Sequence, residues 1–304
     1  MTKPLNIIYA SDDGYVGLAA ISAVSLLKHN PGARIHLLGY RLTPASIDLV
    51  RSRVERHGGS FVHFDVTPLV GKLEELKVSH YTSYAIFARM FVSELIRTDD
   101  RVLYLDCDTL VTDSLDDLMD IELHGHAFAL ALDAVHPAYK KVISLPPEKP
   151  YYNSGVMLMD LAAWREHGCS RRFMEELTHP HGRVILPEQD VIARTMGDEV
   201  EPLPPKWNFL SQFFLQQRKD APAICHFSGN TLGRPWFTSS KHPMREAYRQ
   251  AAAEAGLPEV AEQVRPMSFD YRLQYWLFRL LPHVLFKPVC NLMYRTHIRL
   301  TYGV

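Results

Sequence analysis

The sequence predicts an α/β protein built on a doubly wound, mostly parallel sheet. Three observations carry this. Apolar, β-branched runs alternate with helix-period patterns through the first half of the chain. Capping residues, prolines and glycines stand at the joints between them. Acidic residues collect just past the strand-like runs, at the carboxyl edge where such sheets bind ligands. At 304 residues, 47% hydrophobic and 22% charged, the chain has material for one large core.

"LNIIYAS" reads as the first strand. "GYVGLAAISAVSLLKHN" reads as a helix with Val16, Ala19, Ala20, Ala23, Val24 and Leu27 on one face. "ARIHLLGY" is the second strand. In "TPASIDLVRSRVERHGG", Thr43 is placed as N-cap, Pro44 at the first helical position and Gly58 as the stop. "SFVHFDV" is a third strand, "SYAIFARMFVSELI" a helix and "RVLYLD" a fourth strand. From "HAFALALD" the pattern loosens. "NSGVMLMDL" is a strand running into one helix, "AAWREHGCSRRFMEEL"; "PEQDVIARTMG" opens another helix, and "PAICHFSG" is a short strand. With no repeat and no low-complexity linker, residues 1–265 read as one domain. "RPMSFD" opens a separate tail, residues 266–304.

Basic and acidic residues nearly balance, 33 against 34, which argues against nucleic acid as a partner. The four cysteines, Cys107, Cys169, Cys225 and Cys290, show no C-x-x-C spacing, so neither structural zinc nor a redox dithiol is expected. They read as free thiols in a reducing cytosol. "MTKPLNIIYA" has too short an apolar run for a secretory signal, and no apolar stretch of about 20 residues occurs, so a soluble or peripheral protein is expected.

Chemistry enters at "YLDCDTLV". Strand residues i and i+2 point the same way, so Asp106 and Asp108 can converge on one point. Two like charges so close need a cation between them, and an oxygen-rich site suits Mg²⁺ or Mn²⁺. The competing reading makes Asp108 the start of a turn and Asp106 a cap. Downstream, "TLV" is a short apolar return and Ser114 is placed to cap a helix.

The setting resembles a known family. "RVLYLDCDTLVTDSLDDLMDIEL", "IIYASDDGYVGLAAISAVSLL", "SYAIFARMFVSELI", "YYNSGVMLMDLAAWR", "LPEQDVIA" and "HFSGNTLGRPW" match, in order, motifs of the nucleotide-sugar glycosyltransferases of family 8. That retaining group includes bacterial lipopolysaccharide galactosyl- and glucosyltransferases and glycogenin. The resemblance covers roughly residues 5–240. It implies a GT-A-type, Rossmann-like mixed sheet.

The resemblance also implies roles. Asp106, Asp108 and His226 would ligate Mn²⁺ (or Mg²⁺) bridging the phosphates of a UDP-sugar; by itself, without the resemblance, His226 reads rather as a satisfied buried histidine at a strand end. Ala10, Asp12, Asp13, Cys107 and Gly229 would line the donor site, with Asp12 on the uracil or ribose and the Cys107 side chain turned into the core. Gly14 stands where the family often has asparagine. Arg89 would contact sugar or phosphates. Asp133, Asn153, Ser154, Glu188 and Gln189 would surround the transferred sugar, with Ser154 in place of an alanine and Glu188 in place of an aspartate. Arg234 replaces the family's lysine after two extra residues in "NTLG" and would neutralise the departing diphosphate. Gln189 would stabilise an oxocarbenium in front-face transfer, with Asp190, the nearest carboxylate in sequence, as the alternative covalent nucleophile.

The expected activity is therefore a Mn²⁺-dependent retaining transfer of glucose or galactose from UDP to a saccharide, such as lipopolysaccharide or another lipid-linked glycan. A non-catalytic UDP-sugar-binding protein is the alternative, and a nucleotidyltransferase is disfavoured by the acidic "YASDDGY". The tail, Tyr271 to Val304, holds five basic residues and no acid. Tyr271, Tyr275, Phe278 and Leu281 share a helical face, and Pro282 and Pro288 are expected to break the segment into short pieces. Such a tail suits the anionic inner face of a bacterial membrane, with a docked helix completing the core as the other reading.

Overall fold

A computed structural model describes residues 4–75, 83–133, 135–216, 221–229, 232–266 and 268–303. The chain opens with β1 (Asn6–Ser11), α1 (Val16–His29), β2 (Arg34–Gly39), α2 (Pro44–Arg56), β3 (Ser60–Asp65) and α3 (Thr67–Glu75). A 3₁₀ segment (Ala85–Phe91) leads through α4 (Val92–Leu95) to β4 (Arg101–Leu105) and β5 (Thr109–Val111). Then come α5 (Asp116–Met119), β6 (Phe128–Leu132), α6 (Pro137–Val142), β7 (Tyr152–Asp160), α7 (Leu161–Glu166), α8 (Cys169–Thr178) and α9 (Pro187–Thr195). The chain continues through β8 (Val200–Leu203), β9 (Phe209–Leu210), α10 (Ser211–Leu215), β10 (Ile224–His226) and α11 (Arg245–Glu254). It closes with α12 (Phe269–Leu280) and α13 (His283–Tyr302).

The main sheet has seven strands in the order β3-β2-β1-β4-β7-β6-β8. All pairings within β3-β2-β1-β4 are parallel, whereas β7 runs antiparallel to both neighbours, so the sheet is mixed. The chain order reverses between β1 and β4, which opens the crevice where such sheets hold ligands. A second sheet, β5-β10-β9, stands beyond that crevice.

Local signals explain most boundaries. The Thr43 hydroxyl accepts from the Ser46 amide at 3.3 Å, Pro44 opens α2, and Gly58 follows the helix at φ +79°. Helix α1 is buried over far more than one face, because β5 and α11 cover the side turned from the sheet. Its buried hydroxyls stitch β5 in place. Ser22 Oγ lies 2.7 Å from Thr109 Oγ1, and Ser25 Oγ accepts from Val111 N at 3.0 Å.

Four expectations change. The "SYAIFARMFVSELI" segment is 3₁₀ over half its length, Ala85–Phe91, before the short α4, with Ala85 and Phe87 to Phe91 all buried; enclosure on every side replaces the amphipathic stripe of an α-helix. "AAWREHGCSRRFMEEL" is two helices, divided at Gly168, whose φ of +62° ends the first. Asp106 and Asp108 do not lie on one extended strand. They occupy the turn between β4 and β5, where the chain leaves one sheet for the other. Pro288 lies inside α13 without ending it, so only Pro282 divides the tail.

Nor does the tail behave as one unit. Ile298 of α13 is 3% exposed and packs among Tyr139, Val142, Ile143, Leu145, Tyr151 and Ala193. Burying such a side chain contributes about 1.5–3 kcal/mol, enough to hold α13 on α6. Helix α12 is different, with Phe269, Trp276 and Leu280 more than half exposed.

Candidate active site

The turn after β4 sets the site. Asp106 N donates to Gly155 O of β7 at 2.7 Å, and Phe227 N donates to Asp108 O at 2.9 Å, so each sheet holds one carboxylate. Thr109 Oγ1 closes the turn on Asp106 O at 2.8 Å. Cys107 between them is buried and its thiol donates to Ala10 O at 3.2 Å. The Cys107 side chain is thus core packing, and Ala10 reaches the turn through its carbonyl.

Each carboxylate divides its oxygens. Asp106 Oδ1 accepts from Arg89 Nη2 at 2.7 Å and from Tyr104 Oη at 2.9 Å. Asp108 Oδ2 accepts from Arg234 Nη1, which also donates to Phe227 O. The remaining oxygens face His226 Nε2, at 3.7 Å from Asp106 Oδ2 and 3.3 Å from Asp108 Oδ1. One ligand atom from each residue lies within 4.8 Å of the others. On the far side of the ring, Nδ1 donates to Asn208 Oδ1 at 2.9 Å, which aims the Nε2 lone pair of the neutral imidazole at the carboxylates. Two hard oxygens and one oriented imidazole fit a divalent ion such as Mn²⁺ or Mg²⁺.

Burial pushes the Asp108 carboxyl up, but His226 and Arg234 outweigh it and hold the group well below the usual carboxylate range. Burial pulls the His226 ring down, yet Asp108, with Asp106 behind it, pushes it above its ordinary value.

The residues expected around the sugar join this cluster through buried amides. Asn208 Nδ2 donates to Asn153 Oδ1 at 2.9 Å, and Asn153 Nδ2 donates to Gln189 Oε1 at 2.9 Å and to Asp133 Oδ2 at 3.5 Å. Gln189 Nε2 donates to Tyr151 Oη at 3.3 Å, and Asp133 Oδ1 accepts from Gln212 Nε2 at 2.9 Å. Glu188 Oε2 is buried and has no partner among the described residues. Burial raises its pKa, partly offset by Arg89. It is the unmet acceptor in a network that is otherwise satisfied, the place where a ligand hydroxyl would donate.

Several expected site residues act indirectly. The Arg89 guanidinium is spent inside the protein, since Nε donates to Ile86 O, Nη1 to Ser154 O and Nη2 to Asp106, with Tyr104 beneath the plane. Ser154 is 1% exposed and touches Arg89, because alternation along β7 turns it away from the side of Asn153 and Gly155. Asp190 is fully enclosed. Tyr139 and Tyr151 hydroxyls donate to its Oδ1 at 2.9 and 2.7 Å, and the amides of Ile185 and Leu186 donate to Oδ2. A carboxylate so engaged positions Tyr151 and Gln189 and cannot approach a sugar as a nucleophile.

At the rim, Asp12 Oδ1 accepts from the Gly14 and Tyr15 amides and turns the chain into α1. Asp13 Oδ1 accepts from Thr43 N at 3.0 Å and ties that turn to α2. Gly229 has φ +74°, a conformation that favours glycine, and leads to Asn230 and Thr231 of "NTLG", which lie outside the described residues.

Two residues escaped the sequence reading. Asn208 is fully buried, and its signal was a lone amide inside the apolar "KWNFL". Gly155 stands in "NSG", and a Cβ there would meet His226 Cε1 at 2.2 Å and Asp106 Oδ2 at 2.7 Å. Gly155→Ala should therefore cost at least about 10-fold in Mn²⁺ affinity by isothermal titration, as loss of ligand-orienting groups does, while the urea midpoint changes less than for a core truncation. Metal binding must also displace the His226 proton. Mn²⁺ affinity should rise with pH from below His226's raised pKa and level off above it; a flat profile across this range would exclude the ring as a ligand.

A family model described as "Glycosyl transferase family 8" matches residues 6–239. General stress protein A of Bacillus subtilis is 23% identical over 265 residues, covering 80% of this chain and 91% of that protein. Glycosyltransferase GlyF of Streptococcus pneumoniae is 28% identical over 253 residues, 80% of this chain but 60% of GlyF, so the chain spans about three fifths of that relative. A lipopolysaccharide 1,2-glucosyltransferase of Escherichia coli K12 is 23% identical over 289 residues, 89% of this chain and 84% of the enzyme. Among solved structures, the galactosyltransferase LgtC in complex with donor and acceptor sugar analogues superposes with a TM-score of 0.72 at 23% identity, over 88% of this chain and 99% of LgtC. The segments that build the metal-competent turn, the buried amide relay and the arginine pair all fall inside the matched span, and the chain belongs to glycosyl transferase family 8.

Proposed function

We propose that the protein transfers glucose or galactose from a UDP-sugar to a saccharide acceptor, with retention at the anomeric carbon and with Mn²⁺ as cofactor. The observation that carries this is the charge arrangement at the β4–β5 turn. Two carboxylates are matched by two guanidinium groups, so the cluster is close to neutral before a divalent ion enters. With the ion it is cationic, and a diphosphate complements it.

A bound Mn²⁺ on Asp106, Asp108 and His226 would supply Lewis-acid stabilisation of the departing diphosphate. Arg234 adds a permanent charge at the same edge, and among the described residues both of its hydrogen bonds use Nη1, which offers Nε and Nη2 to phosphate oxygens. Arg89 acts through Asp106, fixing which oxygen faces the ion. Asp12 keeps one oxygen without a partner among the described residues, available to the uracil or ribose. Glu188, Asn153 and Asp133 offer acceptors and a donor to the sugar hydroxyls. Gln189 would offer its side-chain dipole to the reacting carbon, and enclosure of Asp190 favours front-face transfer over a covalent intermediate.

The acceptor is proposed to be lipid-linked, as the similarity to a lipopolysaccharide glucosyltransferase suggests. No helix among the described residues is long and apolar enough to cross a membrane. The membrane-associating part of the proposed 266–304 tail is α12. Its exposed Phe269, Trp276 and Leu280 flank a groove of about 670 Å³ lined by Arg272, Tyr275, Arg279 and Lys241, a combination that suits the anionic inner face of a bacterial membrane.

A panel of UDP-sugars assayed for UDP release tests the activity. One UDP-hexose should be cleaved with Mn²⁺ and not after chelation, and Asp108→Asn should lower kcat by roughly 100-fold or more, the scale of losing a major electrostatic stabiliser. Tight UDP-sugar binding with no release under any condition would mark a binding protein instead. For the membrane, Arg279→Ala should weaken cosedimentation with phosphatidylglycerol vesicles about fivefold, from ~1 kcal/mol per basic residue. Unchanged sedimentation would remove α12 from the interface.

A further inference from the structure

The catalytic site leaves one large basic cavity unused. It lies between α6 and α13, encloses about 850 Å³, and is lined by His136, Lys141, Ser144, Arg295 and Arg299, with no acidic residue in its wall. Among the described residues, Lys141, Arg295 and Arg299 form no side-chain hydrogen bond or ion pair. Neighbouring residues are used differently. Lys140 donates to Pro147 O and Lys149 O and so holds the loop that carries the cavity's proline wall, which leaves Lys141 as the cation facing the space. Arg295 and Arg299 stand four apart on one face of α13, one on either side of the turn anchored by Ile298. Ser144 is held at φ +57°, a conformation uncommon outside glycine, which the surrounding structure must enforce.

The position of the cavity bears on its use. Tyr139 of α6 donates to Asp190, the residue next to Gln189, and Asp133 of the proposed sugar pocket lies four residues before α6. Both walls are thus tied to the side of the site where the sugar is expected. One wall, α6, falls within the family-matched residues 6–239, whereas the other, α13, lies beyond them. The cavity therefore spans the edge of the family-matched residues.

We propose that this cavity binds a phosphate ester on the saccharide acceptor and so selects acceptors already phosphorylated near the hydroxyl that receives the sugar. The proposal rests on the transferase reading. Two guanidinium forks and an ammonium around a concave space match the oxygens of a phosphate group better than a neutral sugar. It also places a kinase-type or phosphotransfer step before this one in the assembly of the acceptor. A headgroup of a bulk anionic lipid presents the same phosphate chemistry and is the competing source.

The test uses the full chain with UDP and Mn²⁺ present, so that the donor site is filled. Calorimetric titration should show glucose 6-phosphate binding and glucose binding far more weakly. The exposed pair Arg295→Ala/Arg299→Ala should weaken glucose 6-phosphate by roughly tenfold per arginine, the scale of one charge-assisted hydrogen bond. UDP release without acceptor should be unchanged in the same variant. Equal affinity for glucose, or equal affinity of the variant for glucose 6-phosphate, would overturn the assignment. A variant that loses cosedimentation with phosphatidylglycerol vesicles while keeping glucose 6-phosphate binding would give the cavity to the membrane and also overturn it. If the wild-type chain releases UDP from no UDP-sugar yet shows the predicted titrations, the anion site stands and the transferase reading falls.

Discussion

Two carboxylates held a few ångströms apart are the constraint on which the rest of the site depends. At 4.8 Å and an effective dielectric near 20, their mutual repulsion is roughly 3–4 kcal/mol. A turn carrying that cost persists only if each charge is met from outside it. Arg89 meets Asp106 from beneath, inside the core, and Arg234 meets Asp108 from the loop that follows β10. The His226 ring lies between the inner oxygens and can exchange its proton for a metal. The two sheets are thus joined through electrostatics, with the active-site turn as the seam.

A second constraint is room. His226 reaches the carboxylates only because β7 has no side chain at Gly155, and the ring's outer nitrogen must then be satisfied without water. Asn208 does this and passes the hydrogen bonds on to Asn153, Gln189 and Tyr151, ending at the buried Asp190. His226 and the buried amides therefore share one continuous network. In such a network an unmet group is costly, so the amides have one arrangement, and under the proposed reading the groups offered to the sugar are oriented before a substrate arrives.

The C-terminal segment divides its work between two helices. Ile298 seats α13 against α6 and the tyrosines that hold Asp190, so this helix is part of the catalytic unit's architecture. Helix α12 keeps its aromatics exposed, and Phe278 meets Phe286 at the junction with α13. A surface for the membrane and a cavity for an acceptor anion can then lie on adjoining helices, joined by the single break at Pro282.

The sequence by itself determined the alternation of strands and helices, the Thr43–Pro44 helix start and the two acids at a sheet edge, and its resemblance to the family singled out His226, Asn153 and Gln189. These are legible because periodicity, capping and motif order are local properties of the chain. Tertiary structure alone decided the rest. Asp106 and Asp108 converge because a turn crosses between two sheets, not because of strand alternation. Arg89 and Ser154 support the site from behind, Asp190 is sealed among tyrosines, and Pro288 is absorbed within a helix. Asn208 and Gly155 become functional only when β4, β7, β9 and β10 meet. Which side of a strand faces a ligand, and which buried group answers another, follows from strand order and packing between residues distant along the chain, and no local pattern encodes that.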